Sequence, residues 1–302
     1  MKNERRVLTT NDLVFKKVFA SPQNSHILIG FIKDILGLEV EGVTLEDTYN
    51  IQSFYNEEGE ADLRYTQVDV LARLRDGSLV GIEMQVYKEF LYRERALYYT
   101  AQNYADNYGK HEFILDDENY RRGEVKYSAL RPVYTICILV KNEFKDDKRP
   151  IHRFALYDKE DYCSYKEVNG KQLLNIVFLE LAKASSEMHA NIKEWFDYFL
   201  HGEVSKDAPQ YVQEACKVAS YQSLQKEEKD MLDMKEKRYQ AALLREEYVW
   251  RSGKSEGKAE GKAEGKAEMI SRMISKGKSS EEIEEFTGIS KDEIEKFSQA
   301  SK

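Results

Sequence analysis

The chain predicts an α/β fold: a mixed sheet flanked by helices, followed by an all-helical C-terminal region. Three observations carry that expectation. Two consecutive runs, 67–74 and 79–87, alternate with a period of two and read as paired strands. A continuous β-prone run, Val133-Tyr-Thr-Ile-Cys-Ile-Leu-Val140, reads as a buried central strand. From about Gln172 the strand signals stop, and the composition becomes helical with dense charges of both signs.

In chain order, Thr10 or Asn11 can cap a first helix through about Phe19, which Ser21-Pro22-Gln23-Asn24-Ser25 breaks. A second helix is expected from His26 to Leu36, stopped by Gly37. Residues 42–54 alternate loosely and read as a strand, ahead of the 67–87 hairpin. Phe90 to Tyr108 is expected to be helical, with Leu97, Ala101, Tyr104 and Tyr108 as its apolar stripe and Arg95, Tyr99 and Gln102 on the opposite face. Residues 112–130 are polar and read as a loop; Phe154–Tyr157 and Tyr162–Val168 are candidate strands. Ile192–Leu200 and Tyr211–Trp250 read as helices.

The C-terminal stretch has its own character. Glu256-Gly-Lys-Ala repeats three times through Ala267. Its glycines each cost about 1 kcal/mol against alanine in a helix, so a marginal helix or flexible spacer is expected. Ser279-Ser280-Glu-Glu-Ile283 and Ile289-Ser290-Lys-Asp-Glu-Ile294 carry capping signals for two short helices. A helix-turn-helix is open there, but the acidic faces favour a small interaction module. The expected division is 1–170 as core, 171–252 as helical region, 253–268 as spacer and 269–302 as tail module.

The hairpin holds the residues of greatest chemical interest. Val68, Val70, Ala72 and Leu74 share one face of the first run, leaving Asp69 on the other. Val80, Ile82, Met84 and Val86 likewise alternate with Gly81, Glu83, Gln85 and Tyr87. If Arg75-Asp76-Gly77 forms a three-residue loop, Leu74 faces Ser78, and counting back sets Asp69 directly across from Glu83. A two-residue loop would put the acids on opposite faces. The longer loop is preferred because both apolar sets then point toward one core. Two like charges across a ladder destabilise it, and a divalent cation between carboxylate oxygens reverses that sign. The plainer alternative pairs each acid with a surface cation; Arg73 lies on the Asp69 face.

Asp69, the Asp-Gly turn, Glu83-Met84-Gln85 and the following helix together resemble the PD-(D/E)XK nuclease core. More narrowly, the chain resembles the recombination-promoting nuclease and putative transposase family. Thr10-Asn-Asp-Leu-Val-Phe-Lys-Lys-Val-Phe19, Arg95-Ala-Leu-Tyr-Tyr99 and Tyr127-Ser-Ala-Leu-Arg-Pro-Val-Tyr-Thr-Ile136 extend that likeness across roughly residues 8 to 165. The resemblance implies a restriction-endonuclease-like sheet, with Asp69 and Glu83 as Mg²⁺ ligands (Mn²⁺ as a substitute) and the Met84 carbonyl as a third. It implies a catalytic role for Gln85, at a position usually held by lysine; an amide can orient water but brings no positive charge to the transition state. Asp12 matches an acidic metal-holding position, or serves as a helix cap or first-turn dipole partner. Lys16 would reach a phosphate or be solvated, and Arg95 would lie near the phosphates.

Composition bounds the partners. Of 302 residues, 33% are charged, above the usual quarter or so, and the formal net charge is -8. No overall basic footprint marks a nucleic-acid binder, so DNA binding requires a local cationic patch. Cys137, Cys163 and Cys216 are scattered without metal-ligand spacing and read as reduced thiols. The five histidines form no cluster, which argues against a zinc enzyme. No run approaches the roughly 20 apolar residues of a membrane span. Met1-Lys-Asn-Glu-Arg-Arg lacks a following signal-peptide stretch. The expectation is a cytoplasmic, Mg²⁺-dependent DNA endonuclease tied to recombination or mobile elements, with homo-oligomer contacts in the C-terminal helices. The alternative is a catalytically weak or inactive DNA-associated assembly protein.

Overall fold

The computed structural model describes residues 7–55, 61–110, 126–166 and 170–300. The first helix, α1 (Asp12–Phe19), is capped by Asn11, whose side chain accepts the Leu13 amide at 3.0 Å. α2 (Ser25–Leu36) follows after a Pro22 turn.

Six strands form one sheet: β1 (Val43–Leu45), β4 (Val70–Leu74), β5 (Leu79–Gln85), β6 (Val133–Leu139), β7 (Ile151–Ala155) and β8 (Leu174–Glu180). Their spatial order is β1-β4-β5-β6-β8-β7. β5, β6 and β8 run parallel in the centre, with antiparallel strands on both sides. Every residue of β6 is buried, as a parallel strand covered on both faces requires. A separate two-stranded ribbon joins β2 (Tyr49–Tyr55) and β3 (Ala61–Gln67).

Helix α3 (Tyr92–Asn107) packs over β5, β6 and β8. Tyr92 and Ala96 sit against Cys137, Leu139, Ile176 and Phe178, and the Thr100 and Thr135 hydroxyls lie 2.7 Å apart. Away from that contact, α1 and α2 associate with α4 (Ala190–His201) and α5 (Gln210–Ala219). Phe19, Phe31, Trp195, Tyr198 and Phe199 interlock there, with the Phe31 and Trp195 rings edge to face at 5.0 Å. The Asp34 carboxylate ties three of these helices together, accepting from Trp195 Nε1, Tyr211 Oη and Asn191 Nδ2, each at 2.9 Å.

The chain divides into two compact units, Met1–Lys229 and Asp230–Lys302. The long helix α6 (Lys226–Ser275) supplies most of the second. There α7 (Ser280–Thr287), with a complete capping box at Ser279, and α8 (Lys291–Ala300) close a small core of Ile270, Ile283, Ile289 and Ile294. Among the described residues, no helix is long and apolar enough to cross a membrane.

The structure revises several sequence expectations. The single strand expected over 42–54 is two, β1 and β2, in different sheets. The run from Gln67 to Leu74 is also split, because β3 ends at Gln67 and β4 starts at Val70. β8 lies beyond Gln172, where strand signals were expected to stop. Tyr162–Val168 contributes only a Tyr157–Ser164 bridge within its described part, and residues 111–125 of the expected loop lie outside the described residues. The glycine repeat is helical throughout. Finally, α3 buries Tyr92, Ala96, Thr100 and Asn107, while Leu97 is 56% exposed. Tyr92, Ala96 and Thr100 make the contact with the sheet, and the apolar stripe expected at Leu97 does not.

Candidate active site

The turn between β4 and β5 fixes the register. The Leu74 amide donates to the Ser78 carbonyl at 2.8 Å, and the Gly77 amide donates back to Leu74 at 3.0 Å. Gly77 has φ +83°, a left-handed conformation that glycine adopts without a Cβ clash. Asp76 accepts the Ser78 amide at 3.0 Å and completes the three-residue loop. Val70 then pairs with Ile82. One step further back, Asp69 stands across from Glu83, the register that the longer loop requires.

Asp69 sits just outside the ladder. Its carboxylate accepts the Met84 amide at 2.8 Å, substituting a side-chain acceptor for a strand carbonyl. Lys16 Nζ approaches the other Asp69 oxygen at 3.8 Å while gripping Asp12 at 2.8 Å. Burial pushes the Asp69 carboxyl above its ordinary value, and the Met84 amide and Lys16 partly counter that push.

Glu83 faces α3, because β5 pairs it with Cys137, and Cys137 belongs to the cluster beneath that helix. It is only 5% exposed. Tyr92 Oη donates to its Oε2 at 3.3 Å, and Arg95 Nη2 lies 3.8 Å from the same oxygen. Its Oε1 is buried and accepts no hydrogen bond among the described residues. Burial raises its pKa to about 7, with the Asp69 and Glu89 charges adding to the rise and Arg95 and Tyr92 opposing it. The thiol of Cys137, buried beside Glu83, is pushed well above its usual value by the same desolvation.

Arg95 is the cation of this cluster. It pairs with Glu89, donates to Gln85 Oε1 at 3.2 Å, and lies 4.8 Å from the Tyr92 ring centroid and 5.8 Å from that of Tyr99. Its Nε is buried with no hydrogen-bond partner among the described residues. Gln85 is engaged at both ends, because its Nε2 donates to the Tyr87 carbonyl at 2.9 Å.

The structure therefore gathers Asp69, Glu83, Gln85, Lys16 and Arg95 at one end of β4, β5 and α3. Asp12 does not complete a three-acid cluster: among the described residues, no three His, Cys, Asp or Glu side chains converge as metal ligands. The lysine one helical turn away competes for its carboxylate. Two hard carboxylates, one with an unpartnered buried oxygen, still suit a divalent cation whose remaining ligands are backbone carbonyl and water. Sequence reasoning did not identify Tyr92 and Glu89 as parts of this cluster. Tyr92, three residues before Arg95, was findable as its helical neighbour.

The sequence matches the family model of PD-(D/E)XK nuclease family transposases over residues 9–243. No curated protein and no solved structure matches the chain.

Proposed function

The chain belongs to the PD-(D/E)XK nuclease family transposases, and from that premise we propose that it is a metal-dependent DNA endonuclease acting in recombination or on mobile elements. One observation carries the reading. Glu83 holds a buried carboxylate oxygen, unpartnered among the described residues, across the hairpin from Asp69, an arrangement that costs stability once Glu83 ionises, above about pH 7, unless a cation is taken up there.

In this reading, the Asp69 and Glu83 carboxylates and the Met84 carbonyl hold Mg²⁺, and Mn²⁺ can substitute. Mg²⁺ bound there supplies positive charge to the phosphoryl oxygens and lowers the pKa of a water. Asp12 serves to hold Lys16 rather than to bind metal. Lys16 and Arg95 bind the phosphates flanking the cut. Gln85 keeps Arg95 turned toward Glu83, so the charge that a lysine at position 85 would bring comes from α3 instead. The guanidinium presents planar, paired donors to phosphate.

Nicking of supercoiled plasmid in Mg²⁺ tests the proposal. Wild type is expected to nick, Asp69→Ala and Glu83→Ala to lose activity, and Arg95→Ala to fall about 100-fold, as removal of one preorganised donor does. A folded wild type that is inert in both Mg²⁺ and Mn²⁺ would reject catalysis. The engagement of both ends of the Gln85 amide would then favour a DNA-associated assembly role.

A further inference from the structure

A cleft of about 410 Å³ opens between the second half of α3, strand β4 and the β1–β2 connection, with Tyr99 in its wall. That volume lies within the usual range for small-molecule sites. Its floor is closed by paired groups. Arg73 donates to Glu46 and to Asn107, each at 2.6 Å, and Asn107 donates to the Gly77 carbonyl at 3.2 Å. Gln102 occupies the Asp106 carboxylate at 3.1 and 3.2 Å.

Three wall groups are different. The half-buried Asn103 amide stands over Gly81, its Nδ2 3.6 Å from where a Cβ would be, and it has no hydrogen-bond partner among the described residues. The Asp47 carboxylate also has no partner there. The Tyr99 ring forms the side nearest the carboxylates, already in contact with Arg95. Asn103 follows Arg95 by eight residues on one helix, about 12 Å along the axis. One nucleotide and its base can span that distance. Glu46, Asp47 and Asp106 outnumber Arg73 and Lys110, so the lining suits the edge of a base better than a phosphate.

We propose that this cleft holds one unstacked nucleobase of the strand being cut, and that it selects bases with an exocyclic amine against thymine. The proposal rests on the nuclease reading for its substrate and adds to it a locally unpaired nucleotide next to the scissile phosphate. The base stacks against Tyr99, an arrangement open to any base. Asn103 contributes a donor and an acceptor to the base edge, as asparagine does to adenine. Asp47 only accepts, so it takes the amine of adenine or cytosine and repels the carbonyl that thymine presents instead.

Fluorescence anisotropy in EDTA, with labelled oligo(dA), oligo(dC) and oligo(dT) as probes, tests this without requiring cleavage. Wild type is expected to bind oligo(dA) and oligo(dC) roughly tenfold more tightly than oligo(dT). Asn103→Leu should reduce that ratio. Asp47→Asn, nearly isosteric and carrying a donor, should shift the preference toward oligo(dT), with circular dichroism confirming that both variants are folded. Equal binding of the three probes by wild type, or no binding to any of them, overturns the proposal. Nicking measured in parallel keeps the two readings apart: base discrimination without cleavage supports the cleft while rejecting the nuclease reading. Cleavage without base discrimination does the reverse.

Discussion

Glu83 carries the most consequential charge in the molecule. Its unfolded carboxyl titrates near 4.5 and its folded carboxyl near 7, because burial under α3 disfavours the anion. The folded state thus binds more protons than the unfolded state between these values. In metal-free protein its contribution is fully present below pH 4.5 and is lost as pH rises through about 7. The loss is on the order of 3 kcal/mol. Urea denaturation in EDTA, at pH values from about 5 to about 8, should show a steeper fall for wild type than for Glu83→Gln. Identical slopes would show that Glu83 does not titrate there. The amide variant should also be the more stable protein at the upper end of that range, and inactive. At this scale, much was legible from sequence. The alternation of 67–74 and 79–87 and the Asp76-Gly77 turn were sufficient to set Asp69 across from Glu83. Burial of Glu83 was not legible, because it depends on which face of the following helix lies over β5.

Helix packing shows where local pattern stops being informative. On α3 the most apolar stripe points outward, and a tyrosine, an alanine and a threonine make the contact, because the space above parallel strands decides which side chains fit. β8 was missed for a related reason. Leu174-Asn-Ile-Val-Phe-Leu-Glu180 is a short apolar run without alternation, and periodicity alone cannot distinguish such a run from a buried helix. The break between β3 and β4 arises where Asp69 accepts the Met84 amide with its side chain and leaves the ladder. The helical layer offers a sharp packing test. A Cβ on Gly30 would fall 2.4 Å from the Tyr211 ring, well inside carbon–carbon contact distance. Gly30→Ala is therefore expected to destabilise the chain by about 1–3 kcal/mol, although alanine favours a helix by about 1 kcal/mol. Urea denaturation measures the balance, and a gain in stability would show that α2 and α5 can separate without cost.

The whole molecule comprises a nuclease-like unit and a separate helical unit. α6 runs for 50 residues, and at 1.5 Å per residue it is about 75 Å long. Gly253, Gly257, Gly261 and Gly265 lie within it, and apart from the helix's own backbone no atom of the described residues lies within 4 Å of an added Cβ. Replacing all four with alanine should raise helicity and stabilise the helix by about 1 kcal/mol per site; unchanged ellipticity at 222 nm would mean that the repeat is not helical in solution. Sequence composition recognised the repeat and the two capped helices after it, but glycine content understated the helix, because propensity is only one contribution to a long cooperative run. In the larger unit, the proposed catalysis depends on whether Asp69 and the buried Glu83 take up metal. Calorimetric titration of Mn²⁺ near pH 7, repeated in buffers of different ionisation enthalpy, measures this most directly. The predicted result is saturable binding with proton release as Glu83 gives up its proton, lost in Glu83→Gln and in Asp69→Asn. Equal binding by wild type and both variants, or none by folded wild type, would contradict the assignment of Asp69 and Glu83 as the metal site.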